Sequence, residues 1–215
     1  MEKQRPLSIG LEQIKNLLLK MGKLSEETIK TALNSFHNQE DNHIQIRSWS
    51  NTLLILSEEV EDRATELMAL HQPMAGDLRS LKAYIKIAYD MERFGRYALD
   101  ISNIQNHVGS WKPFENGSLT VEPMGKKVID IVHLSNSLLE SRDQSLIWKL
   151  SEVEADIDKM YMNNLSKLGT TKNAETRTVI ANLLTIRYLE RIADHASYVA
   201  EAITYASTGK RITLR

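Results

Sequence analysis

Cysteine is absent from the 215-residue chain, which also holds only nine glycines, four prolines and 6% aromatic residues. Without cysteine there are no disulfides, thiolate metal ligands or thiol nucleophiles, so any bound metal needs carboxylate or histidine ligands. A β-rich fold needs many turn-forming residues, whereas 42% hydrophobic and 26% charged residues with few turns favour helices. The composition therefore predicts a helical globular protein that works without thiol chemistry.

Long apolar runs and an excess of one charge are also missing. Lysine and arginine total 27 against 28 for aspartate and glutamate, so no overall field attracts nucleic acid or an anionic membrane. Apolar runs such as LLIL at 53–56 fall far short of the roughly 20 residues that span a bilayer. The first residues, MEKQRPLSIGLEQIKNLLLK, lack the apolar centre of a signal peptide. We expect a cytoplasmic protein with no membrane insertion and no nucleic-acid partner.

Apolar residues at helical spacing predict six helices. We expect them at about residues 7–37, 40–70, 74–107, 124–141, 143–168 and 174–207. Turn-forming residues between the third and fourth helices mark a linker: Gly109, Pro113, Asn116-Gly117 and Pro123. The predicted fold is all-α, with one three-helix bundle over 1–110, a linker over 111–123 and a second three-helix bundle over 124–215.

Two smaller features carry expectations of their own. The tryptophans are expected in the core or as anchors of the linker: Trp49, Trp111 and Trp148. The tail GKRITLR, 209–215, holds three cations and no acid. Such a terminus is usually frayed, although its charge would suit an acidic partner or lipid headgroups.

The two halves of the chain repeat each other. ERFGRYALDI begins at Glu92 and ERIADHASYV begins at Glu190, and the same offset places Asp77-Leu-Arg79 on Glu175-Thr-Arg177. The offset far exceeds the roughly 20 to 50 residues of a solenoid repeat. We therefore predict two tandem homologous bundles.

Paired carboxylates are the most prominent candidates for a functional site. Glu190 and Asp194 stand at i and i+4, which places them on the same side of one helix, and Glu154 and Asp158 repeat that spacing on the preceding helix. Four carboxylates brought together repel one another unless a cation lies among them. All-oxygen ligation suits hard ions such as Mg²⁺, Ca²⁺, Mn²⁺ or oxidised iron. This pattern predicts a metal site in the second half.

A second interpretation of the same acids is the one that spacing alone favours. Acids at i and i+4 are commonly solvated charges, and Arg187 and Arg191 are available as ion-pair partners worth a few tenths of a kcal/mol each. On that interpretation the acids only keep the helix face soluble.

The first half fills the matching positions differently. Glu92 corresponds to Glu190, but Arg96 takes the place of Asp194. On the preceding helix, Ser57 and Glu61 fall at the places of the second half's Glu-x-x-x-Asp pair. Because a positive side chain opposes cation binding, we expect a weak or absent metal site here, with an ion pair in its place.

Two long segments carry a family resemblance. MAGDLRSLKAYIKIAYDMERFGRYALDI and TVIANLLTIRYLERIADHASYVAEAI resemble the paired signatures of the PhoU family, in which a Pro-x-x-x-Asp-Leu-Arg entry to a helix leads to a Glu-Arg-Ile-Gly-Asp-type segment. The entry here consists of Pro73, Asp77, Leu78 and Arg79, and Ala193 stands where the family commonly has glycine. The resemblance covers nearly the whole chain.

The resemblance implies a cytoplasmic, homodimeric, all-helical regulator without catalytic activity. Such a protein restrains phosphate uptake by acting between the ATPase of a phosphate-specific ABC transporter and a sensor histidine kinase. It also implies metal ions (Fe, Zn, Mn or Mg) on acidic helix faces, a role that passes to Glu154, Asp158, Glu190 and Asp194, and in part to Glu61 and Glu92.

Two functions from other classes remain open. A metal-dependent enzyme using the same carboxylates is one, although the chain has no GxxxxGK[ST] phosphate loop and no nucleophile elbow. A helical scaffold of another transport system is the other, since a fold does not fix a function.

Overall fold

A computed structural model describes residues 6–112, 114, 119, 121–172 and 174–214. Within these residues the chain forms six α-helices and no strand: α1 Pro6–Asn38, α2 His43–His71, α3 Ala75–Val108, α4 Val121–Ser141, α5 Leu146–Thr170 and α6 Thr176–Thr208. The predicted all-α fold of two tandem three-helix bundles is confirmed. None of the helices in the described part of the chain combines the length and apolar character that crossing a membrane requires.

The helices end close to the turn-forming residues of the sequence. Helix α2 stops at His71, where Gln72 adopts a left-handed conformation with φ of 44° just before Pro73. Helix α4 begins at Val121, so the last three residues of the expected linker are helical. Pro123 is accepted in that first turn because the first N–H groups of a helix have no intrahelical partner.

The two bundles share one continuous core. The largest fully buried side chains include Ile14, Leu18, Phe94 and Met91, and the same cluster extends to Leu189 of the second bundle. The most extensive contact between any two helices is that of α3 with α6, and α1 also packs against α4. The bundles therefore lie side by side along their third helices, and the linker is not what holds them together.

An arginine from the other bundle lies beside the C-terminal glycine of each third helix, an arrangement that we call a reciprocal cap. A Cβ atom placed on Gly209, the C-cap of α6, would lie 3.6 Å from Arg79 Cζ. One placed on Gly109, the C-cap of α3, would lie 3.5 Å from Arg177 Nη1. A cation beside a helix C-terminus is favourable because the last carbonyl groups carry partial negative charge. The repeated Asp-Leu-Arg and Glu-Thr-Arg segments thus supply reciprocal caps across the two bundles.

The start of the linker is anchored, as expected for Trp111. Its indole is buried and stacks on Phe36 with ring centroids 5.0 Å apart. Gln39 Nε2 donates to the Trp111 carbonyl at 2.7 Å, and Thr178 Oγ1 donates to the Lys112 carbonyl at 3.1 Å. The expectation for Trp148 is wrong, because its side chain is 75% exposed on the first turn of α5.

The C-terminal tail is folded back and not frayed as far as residue 214. The Leu214 N–H donates to Glu201 Oε1 at 3.1 Å, and the Leu214 side chain is buried. The Arg211 guanidinium lies 5.1 Å from the centroid of the Tyr205 ring. These contacts hold the tail against the last turns of α6.

Candidate functional site

The four acids of the second bundle lie on two neighbouring helices. Glu154 and Asp158 are on α5, Glu190 and Asp194 are on α6, and the short connection between these helices makes them antiparallel neighbours. The turn of Asp158 thus lies opposite that of Glu190, and the turn of Glu154 opposite that of Asp194. We call these four residues the α5–α6 acidic site.

Burial divides the α5–α6 acidic site into an inner and an outer part. Glu154 is 5% exposed and Asp194 is 8% exposed, whereas Asp158 is exposed to solvent. A buried carboxylate needs hydrogen-bond donors or a cation, since desolvating an uncompensated charge costs several kcal/mol. The inner acids are therefore more than solubilising charges on a helix face.

Arginines engage both acids of α6. Arg187 Nη1 donates to Glu190 Oε2 at 2.8 Å. Arg191 lies between the two acids, with Nε 3.4 Å from Glu190 Oε2 and Nη1 3.1 Å from Asp194 Oδ2. The ion pairing that the sequence suggested for Arg187 and Arg191 is confirmed, and Arg191 supplies part of the positive charge that a metal ion would bring.

The pKa of Glu190 stays raised despite these arginines. Burial raises the pKa of Glu190 above its ordinary value of 4.5, and the negative charges of Asp194 and Asp158 raise it further. Arg191 and Arg187 lower the pKa of Glu190, but not enough to cancel the rise. A carboxylate that resists ionisation beside other carboxylates is stabilised by an added cation.

The donor set fits a hard cation, but the present side-chain arrangement does not form a coordination shell. Four carboxylates on two helices offer the oxygen ligands that Mg²⁺, Mn²⁺ or iron use. Among the residues that the structure describes, no three histidine, cysteine or acidic side chains are gathered closely enough to hold a metal ion. Arg191 would have to move before Glu190 and Asp194 turned to a common ion, because it now binds an oxygen of each.

The corresponding positions of the first bundle are further from a metal site. Glu61 is exposed on α2, and Glu92 on α3 pairs with its neighbour Arg93 at 3.9 Å between Nη1 and Oε2. Arg96 is exposed and acts on Asp100, whose pKa is raised by burial and lowered in part by Arg96 and Arg93. Of the four positions that correspond to the α5–α6 acidic site, only Glu61 on α2 and Glu92 on α3 are acidic, and Arg93 and Arg96 lie on the same helix as Glu92.

A buried acid–histidine pair that the sequence did not predict lies between α3 and α6. Asp90 is 2% exposed, its Oδ1 lies 2.8 Å from His195 Nδ1, and its Oδ2 lies 3.4 Å from Lys86 Nζ. A carboxylate only accepts hydrogen bonds, so Nδ1 carries the proton. Its signal in the sequence was an acid within the apolar stripe of α3, three residues after Ile87 and four before Phe94.

Tyrosines surround this pair and form the rest of what we call the α3–α6 seam. The His195 ring lies 5.4 Å from the Tyr198 ring and 5.7 Å from the Tyr97 ring between centroids. The Arg93 guanidinium lies 5.5 Å from the Tyr97 centroid and 5.8 Å from that of Tyr89. Such directional polar contacts fix how the two third helices meet, and with them the relative position of the bundles.

Two homologous three-helix bundles, the second with acid pairs on its second and third helices, define a tandem helical-bundle protein. The PhoU domain profile matches residues 18–104 and 121–203, one match in each bundle. The chain belongs to the PhoU family.

Curated relatives match over almost their whole length. A phosphate-specific transport system accessory protein PhoU homolog from Clostridium acetobutylicum is 26% identical over 95% of both chains. A protein of the same description from Zymomonas mobilis is 28% identical over 94% of this chain and 86% of its own. The similarity therefore includes both bundles and the linker.

Solved structures share the fold. The crystal structure of PhoU from Pseudomonas aeruginosa superposes with a TM-score of 0.84 at 24% identity, covering 94% of this chain and 99% of that one. The phosphate transport system regulatory protein PhoU from Streptococcus pneumoniae also gives 0.84, at 21% identity, covering 96% of this chain and 99% of its own. At these identities the likeness establishes the architecture.

Proposed function

We propose that this protein regulates phosphate transport and phosphate-responsive signalling by binding other proteins. The observation that carries the proposal is membership of the PhoU family over both bundles, together with curated relatives named as accessory proteins of phosphate-specific transport systems. The proposed action is negative regulation of phosphate uptake in the cytoplasm, without catalysis by the chain itself.

The proposed partners are the ATPase of a phosphate-specific ABC transporter, a sensor histidine kinase and a second copy of the chain. A surface on the second bundle supports a protein-binding role. Met162 and Leu165 of α5 and Ile180 and Leu183 of α6 are exposed by 61%, 36%, 40% and 37%. They lie on the same two helices as the α5–α6 acidic site, and apolar side chains bordered by charge are typical of protein interfaces.

Deletion of the protein in its own cell, followed by measurement of phosphate uptake, tests the regulatory role. We expect uptake to exceed that of the parent at high external phosphate, and affinity capture of the tagged protein to retrieve the transporter ATPase or the kinase. Unchanged uptake together with capture of neither partner would contradict the proposal.

A matched pair of variants locates the binding surface. The change Met162→Glu with Leu183→Glu places charge on the α5–α6 surface and should weaken capture of the partner. The control Ile44→Glu with Ile55→Glu changes two residues of α2 that are 84% and 62% exposed, so it makes the same chemical change elsewhere. Equal effects of both pairs would argue against a partner surface on α5 and α6.

We also propose that the α5–α6 acidic site binds a metal ion (Fe, Zn, Mn or Mg), with only weak binding through Glu61 and Glu92 in the first bundle. The raised pKa of Glu190, caused by burial and by Asp194 and Asp158, supports a local need for positive charge. A metal bound by the four acids would fix α5 against α6 and alter the surface offered to partners.

Elemental analysis of purified protein after metal loading tests whether the site binds a metal. We expect Glu190→Ala with Asp194→Ala to remove the metal while the helical circular-dichroism signal stays.

A further inference from the structure

A cavity of about 310 Å³ lies between α3, the last turns of α6 and the folded-back tail. It is separate from the α5–α6 acidic site, and we call it the tail cavity. Its polar lining carries three cations, one carboxylate and two hydroxyl groups: Lys82, Lys86, Arg211, Glu201, Tyr205 and Thr213. Since liquid water occupies roughly 30 Å³ per molecule, the volume equals that of about ten waters and suits a small ligand.

Two of the cations have no acidic partner among the residues that the structure describes. Lys86 Nζ lies 3.4 Å from the buried Asp90, whereas Lys82 and Arg211 make no ion pair with any described residue. Unpaired cations converging on a concave site raise the local concentration of anions, because low-dielectric walls focus their field.

Arg211 is held in a geometry suited to an oxyanion. Its guanidinium carbon lies over the Tyr205 ring, 5.1 Å from the centroid, in a cation–π contact. This contact uses none of the N–H donors in an ion pair, and the donors of a guanidinium match two oxygens of a phosphate group. The tail contact between Leu214 and Glu201 keeps this arginine beside α6.

The one carboxylate of the lining is already engaged. Glu201 Oε1 accepts the Leu214 N–H at 3.1 Å. The negative end of α6 is offset by Arg79, which lies against the C-cap Gly209 just before the cationic tail. Glu201 therefore remains the one opposing charge of the lining, while Arg79 offsets the partial negative charge at the end of α6.

We propose that the tail cavity binds a small phosphate-bearing anion through Lys82, Lys86 and Arg211. A phosphate group carries about −1.5 to −2 charges at neutral pH and offers several acceptor oxygens, which match the two unpaired cations Lys82 and Arg211, the Lys86 ammonium beside Asp90, and two hydroxyl donors. A carboxylate ligand would leave more of these donors unpaired. The choice of phosphate among oxyanions rests on the proposed function, whereas the site itself rests on the cavity.

Isothermal titration of the full chain with orthophosphate and with pyrophosphate, at constant ionic strength, tests the proposal. We expect saturable binding to the wild type. The double variant Lys82→Gln with Arg211→Gln should weaken the affinity about tenfold or more, which corresponds to a loss of about 1.4 kcal/mol or more in binding free energy. The control Lys149→Gln with Lys167→Gln removes the same charge from exposed positions on α5 and should change affinity by about twofold or less.

A single substitution at Glu201 separates the effect of its negative charge from its role in anchoring the tail. Glu201→Gln removes the negative charge but keeps an oxygen that accepts the Leu214 N–H, so we expect phosphate to bind a few-fold more tightly. Weaker binding in this variant would overturn the assignment of Glu201 as the opposing charge.

Three outcomes would overturn the proposal: no saturable binding of either anion, equal losses in the cavity and control pairs, or binding only to vesicles of phosphatidylglycerol. The last would assign the cations to lipid headgroups. The titration and the uptake experiment fail independently. A regulator that binds no phosphate would change uptake on deletion but show no binding in the titration. A phosphate-binding protein that regulates nothing would bind in the titration but leave uptake unchanged on deletion.

Discussion

Arg191 is the residue that most directly controls the charge of the α5–α6 acidic site. Its guanidinium contacts both Glu190 and Asp194, at 3.4 and 3.1 Å. A metal ion bound at the proposed site would compete with this guanidinium for the same oxygens. The two ion pairs offset part of the repulsion between the acids in the structure as it stands.

Removal of that competitor is expected to strengthen metal binding. Arg191→Gln should raise the affinity for Mn²⁺ by about tenfold, because the ion no longer displaces a bound cation. Metal titration followed by calorimetry measures this change. The control Arg47→Gln removes an exposed arginine of α2, and an equal gain in that variant would point to a general charge effect and not to competition at the site.

The pH dependence of stability is the second residue-scale prediction. The pKa of Glu190 is raised above 4.5 in the folded protein, so the folded state binds more protons than the unfolded state between the two pKa values. The contribution of Glu190 to stability is therefore greatest below about 4.5 and is lost as the pH rises through the folded pKa.

Urea denaturation of the wild type and of Glu190→Gln at a series of pH values measures this loss. The free energy of unfolding of the variant, relative to that of the wild type, should rise as the pH increases from below 4.5 toward neutrality. A relative stability that falls over the same range would show that the arginines lower the pKa more than burial and the neighbouring acids raise it.

At the scale of helices, the reciprocal caps join the entry of each third helix to the end of the other. Arg79 reaches the C-terminus of α6 and Arg177 reaches that of α3. This arrangement gives the repeated arginines a structural role that is independent of the acidic helix faces.

Loss of either cap should lower the stability of the protein by a small amount, and the two losses should be similar. Arg79→Ala and Arg177→Ala are each expected to lower the free energy of unfolding by about 0.5–1 kcal/mol, the usual worth of a cation at a helix C-terminus. Thermal and urea denaturation measure it, with Arg47→Ala as the control. If only one of the two substitutions lowered the free energy of unfolding, the two caps would not be equivalent.

The caps also require glycine at both helix ends. Gly109 and Gly209 have φ of 78° and 73°, a region that side chains disfavour. The backbone N–H of Gly109 donates to the Gln105 carbonyl and that of Gly209 to the Tyr205 carbonyl, which closes the last turn of each helix. The sequence marked Gly109 as a turn residue of the linker, but the arginine beside each glycine belongs to the other bundle.

At the scale of the whole molecule, the α3–α6 seam joins two domains that repeat in sequence. Asp90, His195 and the tyrosines around them lie in this contact, and the apolar core is continuous across it. Two homologous bundles joined only by a linker would unfold independently, whereas a shared core couples them.

We therefore predict one cooperative unfolding transition. Native-state amide exchange should give α2 and α5, which lie in different bundles, the same free energy for their most protected amides. His195→Ala should lower both values together, since it leaves Asp90 buried without its nearest partner. Two separable transitions, or an effect confined to the second bundle, would contradict a shared core.

The helices and the duplication were predictable because their causes are local. Apolar spacing along each segment determines which residues form a buried stripe, and turn-forming residues such as Pro73 and Gly209 lie where α2 and α6 end. The repeated segments around Glu92 and Glu190 are visible without any knowledge of packing. The sequence by itself thus determined the all-α fold, the two bundles and the family.

Contacts between distant segments were decided only by the tertiary structure. Nothing in the helical spacing indicates that Asp90 meets His195 or that the tail closes a cavity over Lys82. The physical reason is that a helical period states which side of a helix is buried, while the partner of each buried polar group depends on how the helices pack. Side-by-side packing of α3 and α6 therefore created the seam, the reciprocal caps and the tail cavity.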